Sequence, residues 1–251
     1  MSKKNDNLGN RMKGYENVTR NYLTRRTPVI IRLDGVAFHT FTKGFEKPFD
    51  RLLLATMCQV AEKLCNEVQN CVFAYTQSDE ISLVLIDYRN LNTDAWFGNN
   101  IQKICSVVAA KASVYFNEIL ENYYYIESLD KDREIFLENV LNKKAFFDAR
   151  CFNIPREEVL NYFIWRQKDC QKNSVSAIAQ AYFSNKELYQ KSTKQRIEML
   201  NQYAEENNLF KYEDFDKMFL KGVTVFPKDG IEALDFIEKR DELNEILGVK
   251  K

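Results

Sequence analysis

Two apolar runs separated by a short polar connection constrain the fold of this chain more than any other feature. The runs, 71–75 and 81–86, are rich in β-branched, aromatic and other large apolar side chains, and Thr76-Gln-Ser-Asp-Glu80 joins them. This spacing predicts a β-hairpin, because a few polar residues are enough to reverse the chain between two strands. The hairpin would therefore place two adjacent carboxylates, Asp79 and Glu80, at its bend.

The segments around the hairpin complete a β-α-β-β-α-β order. A β-branched run at 28–34 predicts the first strand, and apolar residues recur at helical spacing in 50–68 and 99–120. An alternating run at 146–154 predicts a fourth strand before Pro155. This order is that of the ferredoxin-like fold, which polymerase palm domains share. We therefore expect an α+β fold with a palm-like antiparallel sheet and helices on one face.

The remaining chain predicts a helical C-terminal region. We expect residues 1–154 to form a palm-like catalytic domain, and 155–251 to form helices and one late strand, at 223–226, packed on the palm. Pro155 followed by Glu157 and Glu158 is typical of a helix start, since acidic side chains suit the positive end of a helix. The first ten or so residues and the charged tail after Lys239 are expected to be loose.

Composition narrows the class of protein. Lys+Arg and Asp+Glu each number 36, so the formal net charge is zero and an anionic partner must meet a local basic patch. The six cysteines include no C-x-x-C pair and His39 is the only histidine, so no zinc or haem motif is present. Reduced thiols and the absence of an apolar run of roughly 18 residues predict a soluble, cytoplasmic protein without a membrane partner.

Three carboxylates should meet at one end of the predicted sheet. The first strand lies beside the hairpin in this fold, so Asp34 at its end should approach Asp79 and Glu80. Converging carboxylates repel each other, and oxygen ligands without a nearby His or Cys favour Mg²⁺ as the neutralising ion. Because strand side chains alternate, we expect Asp79 to face the metal and Glu80 to lie behind it or orient a basic neighbour. Taken alone, Ser-Asp-Glu is also an ordinary solvated turn.

Basic residues flank this predicted site. Arg32 lies two positions before Asp34 on the same strand face, where it would neutralise the acidic site or contact a phosphate. Lys43 and Lys47 form a short basic loop over which a triphosphate could lie, although a solvated loop is the alternative. His39 stands between aromatic residues, and by its sequence context we expect it to be packed or hydrogen-bonded rather than catalytic.

Several motifs together resemble one enzyme family. In chain order they are VIIRLDGVAFHTFTKGFEKPFDR, AYTQSDEISLVL, AWFGNNIQKICSVVAAKAS, FFDAR, NYFIWRQKDC and KGVTVF. They resemble the tRNA(His) guanylyltransferases and their bacterial, archaeal and phage-type relatives, which are reverse (3′→5′) polymerases, from about residue 7 to residue 226. The resemblance implies a palm-like enzyme that adds a nucleotide to a tRNA 5′ end activated as an adenylate or a triphosphate.

The resemblance also implies the site residues. Asp34, the Gly35 carbonyl and Asp79 match the family's ligands for two Mg²⁺ ions, and Asp34, Asp79 and Glu80 match its catalytic carboxylates. GTP, ATP or other nucleoside triphosphates would be the substrates. The residues predicted in this way to bind nucleotide are Arg32, Gly35, Ala37, Phe38, His39, Lys47, Asp50, Ser78, Lys103, Asn173 and Lys221.

One departure from the family pattern bears on the substrate. Where eukaryotic members read His-Ile-Asn-Asn-Leu, this chain reads Gln171-Lys-Asn-Ser-Val175 and shares only Asn173. That motif is associated with obligatory guanylate addition to tRNA(His), so we expect the branch that repairs 5′-truncated tRNA on a template. A strict tRNA(His) guanylyltransferase is the alternative. The family further implies tRNA as a partner and a homotetramer built as a dimer of dimers.

Two other classes of protein share part of this pattern. A palm-type nucleotide cyclase would use the same paired carboxylates, but the chain has no Gly-Gly-Asp-Glu turn and a cyclase needs no tRNA surface. An inactive RNA-binding protein would gain nothing from Asp34, Asp79 and Glu80 beside a phosphate. The tRNA surface is expected among the basic residues Arg11, Lys13, Arg25, Arg26, Lys168, Lys172, Lys191, Lys194 and Arg196.

Overall fold

The computed structural model describes residues 7–126, 131–209, 211–228 and 230–249. Within them the strands form one sheet in the order β4-β1-β3-β2-β5-β6, with antiparallel neighbours throughout. The strands are β1 Val29–Gly35, β2 Cys71–Gln77, β3 Glu80–Leu85, β4 Phe147–Asn153, β5 Val223–Phe226 and β6 Gly230–Glu232. The first four strands confirm the predicted α+β, palm-like order, β5 is the predicted late strand, and β6 was not predicted.

The helices of the described residues surround this sheet. They are α1 Asn7–Asn17, α2 Phe38–Phe41, α3 Arg51–Glu67, α4 Ile101–Ile126, α5 Lys131–Lys143, α6 Val159–Tyr182, α7 Asn185–Leu188, α8 Thr193–Asn207, α9 Lys217–Lys221 and α10 Arg240–Leu247. Among the described residues, no helix has the length and apolar character to cross a membrane. The two helices of the predicted palm, α3 and α4, are confirmed.

The chain termini correct one prediction. Most of the charged tail after Lys239 is not loose, because α10 buries Leu243 and Leu247 against the sheet-facing core, while residues 250 and 251 lie outside the described residues. Of the N-terminal residues expected to be loose, 1–6 lie outside the described residues and those from Asn7 onward form α1. The charged composition of both segments hid helices that need only a few apolar positions.

Two cores lie on opposite faces of the sheet. Helices α3 and α4 pack on one face against alternate residues of β1 such as Ile31 and Leu33, as predicted for a palm. The other face carries Ile30 and Phe73 and is covered by α6 through Phe163. Because side chains alternate along a strand, β1 supplies residues to both cores.

The C-terminal region is joined to the palm by main-chain and side-chain bonds. Strand β5 extends the palm sheet by pairing with β2, for example Val225 with Ala74. Gln167 on α6 is buried, donates to the Leu234 carbonyl at 2.7 Å and accepts from the Phe236 N–H at 3.1 Å. The bonds of Gln167 thus hold α6 to the segment after β6, within the C-terminal region. The predicted division at residue 154 falls between β4 and α6 and stays a prediction.

Candidate active site

The hairpin bend is tighter than the sequence indicates. Only Ser78 and Asp79 lie between β2 and β3, and Gln77 pairs directly with Glu80. Ser78 has a positive φ of 51°, the backbone conformation that two-residue hairpin turns require at one or both central positions. The Gly35 N–H donates to the Asp79 carbonyl at 3.1 Å. The end of β1 and the bend therefore meet, as the predicted strand order requires.

Glu80 faces away from the bend and pairs with an arginine of α6. The Arg166 guanidinium donates to its two carboxylate oxygens at 2.8 Å and 2.6 Å, and both side chains are buried. Burial raises the pKa of Glu80, and the hydrogen bonds and charge of Arg166 oppose that rise. Glu80 thus orients a basic neighbour, one of the two arrangements that strand alternation allowed.

Two arginines surround the carboxylate of Asp34. Arg32 Nη2 donates to Oδ1 at 3.3 Å, and Arg32 Nε and Arg150 Nη2 lie 3.2 Å and 2.9 Å from Oδ2. Arg32 Nε also lies 3.4 Å from Glu80 Oε2, so it neutralises the acidic cluster. Even so, Asp34 Oδ2 is enclosed and accepts no well-directed hydrogen bond. An enclosed carboxylate oxygen that accepts no hydrogen bond can still coordinate a cation.

The charged form of Asp79 is unfavourable in this site. Burial raises its pKa above the ordinary value, hydrogen bonds from its own main chain and from Ser78 oppose the rise, and the Asp34 charge adds to it. Its negative form is therefore disfavoured without a positive partner. Among the described residues, no three His, Cys, Asp or Glu side chains converge on a common point. A metal would hence be held by Asp34, Asp79 and a main-chain oxygen such as that of Gly35, a donor set that suits Mg²⁺.

A cavity of about 510 Å³ opens beside the bend. Its size is that of a small-molecule site, and its walls come from α2, the loop into α3, the bend, the middle of α6, and α9. Asp79 lines this cavity, whereas Asp34 does not. The predicted nucleotide-binding residues that the cavity brings together are Gly35, Ala37, Phe38, His39, Lys47, Asp50, Ser78 and Asn173.

Glycine is required where the cavity wall approaches β1. A Cβ atom on Gly35 would lie 2.1 Å from Cδ2 of Phe38, so no larger residue fits without displacing that ring. Phe38 is buried, with its centroid 5.4 Å from that of Phe116 on α4. His39 is exposed on the other side of the same turn, and its Nε2 lies 3.1 Å from the Thr40 hydroxyl. Core packing of Phe38 thus presents His39 to the cavity.

Asp50 is engaged by protein groups despite lining the cavity. Its Oδ1 accepts from the N–H groups of Leu52 and Leu53 at 3.0 Å and 3.1 Å, which caps α3. Its Oδ2 accepts from the Glu46 N–H at 3.0 Å and from Arg133 at 2.8 Å. This carboxylate shapes the loop that carries Lys47.

Three predicted nucleotide-binding residues lie outside the cavity lining. Arg32 contacts Asp34 and Glu80 as described above. Lys221 Nζ lies 2.9 Å from Asp235 Oδ2, and its carbonyl accepts from Tyr75. Lys103 is exposed in the first turn of α4, where its N–H bonds to the Asn100 side chain at 3.0 Å.

Sequence reasoning missed the arginine partners and the helical side of the cavity. Arg166 lies at i+4 from Tyr162 and i+3 from Phe163, on the buried stripe of α6, and a charge on that stripe could have indicated a buried acid. Arg150 gave no such signal, because β4 is exposed around it. The cavity also uses Cys170, Ser174 and Phe219 from α6 and α9, which lie far from the hairpin in sequence.

A palm-like sheet with Asp79 at a hairpin bend beside a cavity of small-molecule size is the arrangement of palm-class enzymes that act on nucleotides. The family model for tRNA(His) guanylyltransferase matches residues 9–155, which is more than half of the chain. This chain therefore belongs to the tRNA(His) guanylyltransferase family, as its motifs predicted.

Solved structures and curated proteins agree with this assignment. A bacterial tRNA(His) guanylyltransferase-like protein in complex with ATP is 36% identical with a TM-score of 0.82, covering 96% of this chain and 99% of that chain. A bacterial tRNA(His) guanylyltransferase-like protein in complex with GTP is 33% identical with a TM-score of 0.74. This match also covers 96% of this chain and 99% of that chain. The probable tRNA(His) guanylyltransferase of Mus musculus is 33% identical over 151 residues, which are 59% of this chain and 45% of that protein. This chain thus spans less than half the length of the mouse relative.

Proposed function

We propose that this chain is a Mg²⁺-dependent nucleotidyltransferase that adds nucleotides to the 5′ end of tRNA in the 3′→5′ direction. The observation that carries the proposal is the meeting of Asp34, Gly35 and Asp79 beside the cavity. Bacterial relatives bound to ATP and GTP support nucleoside triphosphates as the occupants of that cavity.

Asp34, the Gly35 carbonyl and Asp79 would hold the two Mg²⁺ ions. Asp34 Oδ2 is enclosed and, although two arginines lie near it, accepts no well-directed hydrogen bond; this and the raised pKa of Asp79 both fit a bound cation. Bound Mg²⁺ would lower the pKa of an attacking hydroxyl and neutralise charge on the phosphates. Glu80 acts as a positioning residue, because both its oxygens are held by Arg166 and it does not line the cavity.

The cavity residues would bind and orient the incoming nucleotide. Lys47 and His39 are exposed at the lining, where a cation or an imidazole N–H can donate to phosphate oxygens. Ser78 and Asn173 supply neutral donors from the bend and from α6. The 3′-hydroxyl oxygen of this nucleotide then attacks the activated 5′ phosphorus of the RNA, and AMP or pyrophosphate leaves as the new P–O bond forms.

Templated repair of 5′-truncated tRNA is the finer part of the proposal. Asn173 lines the cavity, while its neighbours Gln171 and Lys172 replace the residues associated with strict tRNA(His) specificity. Exposed lysines on α6 and around α8, among them Lys168, Lys172 and Lys194, support a phosphate-binding surface. Four of the basic residues predicted for RNA have structural partners. Arg25 pairs with Asp87 at 2.6 Å, and Arg26 donates to the Asn90 carbonyl at 2.9 Å. Arg196 donates to the Ser176 hydroxyl at 2.9 Å, and Lys194 lies 3.9 Å from Glu198 in an exposed pair.

A homotetramer is part of the same proposal. Helix α1 buries no residue, and its exposed Leu8, Met12 and Tyr15 stand at spacings of four and three along one stripe. Light scattering should give the mass of four chains for the wild type. Tyr15→Asp should shift that mass to a smaller species, and an unchanged mass would show that α1 takes no part in assembly.

The deciding experiment compares two RNAs with labelled nucleotides. The purified protein receives a 5′-truncated tRNA and an intact tRNA(His) that lacks only its extra 5′ guanylate, each with Mg²⁺ and a mixture of nucleoside triphosphates. Complementary nucleotides added preferentially to the truncated RNA support repair. Guanylate addition to tRNA(His) alone would identify the strict enzyme, and a cyclic nucleotide as sole product would identify a cyclase.

A further inference from the structure

A ladder of side chains lies beside the catalytic carboxylates on the sheet face opposite α3 and α4. It is built from cross-strand neighbours of β1 and β4, and we call it the open ladder: Arg32 with Arg150, Asp34 with Asp148, and Val36 with Phe146. Arg150 reaches Asp34 at 2.9 Å and Asp148 at 3.3 Å, so these side chains share one face. None of the β4 members lines the nucleotide cavity.

The outer rung of the open ladder is apolar and exposed. The Val36 N–H donates to the Phe146 carbonyl at 2.8 Å, and the two residues are 50% and 61% exposed. Phe147 packs in the helix-side core, with its ring centroid 5.1 Å from that of Phe38, so alternation directs Phe146 to the other face. An exposed aromatic ring at the mouth of a site is a stacking surface for a base.

Positive charge flanks this apolar rung. Lys143 and Lys144 precede it, are exposed, and form no ion pair with the described residues. Arg150, whose side chain is 55% exposed, lies on the inner side. An aromatic ring between cationic groups is the combination that binds single-stranded nucleic acid ends.

The far end of the ladder is closed by α6. Tyr162 packs on Phe152 of β4 with ring centroids 5.8 Å apart and shares a 2.8 Å hydrogen bond with Ser82. A ligand can therefore lie only on the part of the face next to Asp34.

We propose that the open ladder receives the 5′-terminal nucleotide of the RNA, with its base on Phe146 and Val36, its 5′ phosphates toward Arg150 on the inner side, and the next phosphate of the strand toward Lys143 and Lys144 on the outer side. The proposal rests on the proposed function and adds which surface holds the RNA end. The cavity then holds the incoming nucleotide on the opposite side of Asp34 and Asp79.

Phe146→Ala tests this assignment through steady-state kinetics. It should raise KM for the RNA roughly 5- to 150-fold, because stacking contributes about 1–3 kcal/mol per base, and leave KM for the nucleotide unchanged. Phe146→Tyr keeps the ring and should stay within about twofold of the wild type for both substrates. The matched control is Phe97→Ala, an exposed phenylalanine that precedes α4 and does not line the cavity. It should change neither KM.

Cross-linking gives a second readout that does not depend on turnover. RNA with 5-iodouridine at its 5′-terminal position, irradiated on the full-length protein, should attach to Phe146 or its immediate neighbours. Wild-type transfer together with an unchanged RNA KM in Phe146→Ala, or a cross-link confined to another surface, would overturn the open-ladder assignment alone. A wild type that transfers no nucleotide to either RNA would overturn the proposed function and this inference with it.

The lysines are tested by salt dependence. Lys143→Ala and Lys144→Ala, combined in one variant, should weaken RNA binding for all sequences alike. The slope of log affinity against log salt should become shallower by roughly one for each phosphate that a lysine no longer neutralises. A slope equal to that of the wild type would exclude these lysines from the RNA surface.

Discussion

Arg166 on α6 donates one hydrogen bond to each carboxylate oxygen of Glu80 on β3, and both side chains are only 5–6% exposed. This buried pair connects the helical C-terminal region to the strand that begins at the hairpin bend. Arg166 also lies 3.0 Å from Asp169 and 4.5 Å from the Trp165 ring, which fixes its guanidinium in place. The position of Asp79 therefore depends on a helix more than 80 residues away in sequence.

Removing the arginine of this pair should destabilise the fold. Arg166→Ala leaves Glu80 as a buried, uncompensated charge, and we expect the free energy of unfolding to fall by about 3–5 kcal/mol in urea denaturation. Arg166→Lys should lie between that variant and the wild type, because it cannot bond both oxygens. The control is Lys194→Ala, which removes an exposed 3.9 Å pair with Glu198 and should cost less than about 0.5 kcal/mol. A loss under about 1 kcal/mol in Arg166→Ala would contradict a structural role for the pair.

Asp79→Asn should separate activity from stability. Loss of the negative charge should lower the rate of Mg²⁺-dependent nucleotide transfer at least about 100-fold, since charge stabilisation by a metal is worth several kcal/mol. The melting temperature without metal should rise, because burial and the Asp34 charge raise the pKa of Asp79 and make its charged form unfavourable in the fold. Asp94→Asn, at a side chain that is 88% exposed, should alter neither quantity. Full activity in Asp79→Asn would exclude Asp79 as a metal ligand.

Gly35→Ala should damage the cavity wall. The added methyl would meet the Phe38 ring at 2.1 Å, so that ring or the turn must move, at a cost of about 1–3 kcal/mol in unfolding free energy. Nucleotide KM should rise as well, because Phe38 and His39 belong to the same turn. Gly14→Ala adds a methyl that meets nothing within 4 Å in exposed α1, and it should stabilise the protein by up to about 1 kcal/mol. Equal melting temperatures for the two variants would be inconsistent with this packing.

Two lysines predicted to bind nucleotide should behave differently. Lys47 lines the cavity, and Lys47→Ala should raise nucleotide KM about 10-fold or more through loss of a charge-assisted bond to phosphate. The Lys221 ammonium is already paired with the Asp235 carboxylate. Lys221→Ala should therefore change nucleotide KM by less than about twofold and lower the melting temperature slightly. Steady-state kinetics measures both KM values, isothermal titration with a non-hydrolysable nucleotide gives the corresponding Kd values, and thermal unfolding gives the melting temperatures. The reverse order of effects would assign the phosphates to Lys221.

Local patterns were sufficient for the elements that carry the palm. The β-branched run before Gly35 and the helical spacing in 50–68 each predicted an element within two residues of its observed bounds. These patterns were sufficient because burying one face of a helix or strand requires apolar residues to recur at the repeat of that element. Helix α10 was missed although Leu243, Ile246 and Leu247 stand at helical spacing, because it has only eight residues and half of them are charged.

Contacts between segments that are distant in sequence could not be predicted from local patterns. Strand order placed Asp34 near Asp79, but nothing in the sequence assigned Arg166 to Glu80 or Arg150 to Asp34. The cavity likewise joins α2 to α6 and α9, whose separation along the chain exceeds 100 residues. Predicting these contacts requires the packing of whole helices on the sheet.

The sequence by itself determined the palm-like strand order, the hairpin with two carboxylates, and the family to which the chain belongs. Side-chain alternation already separated Asp79 from Glu80, and tertiary structure alone decided their surroundings: the tight turn leaves Asp79 at the cavity, while Arg166 of α6 covers Glu80. The physical reason is that hydrogen-bond register and side-chain alternation act locally, whereas the partner of a buried charge is set by which helix covers that face of the sheet.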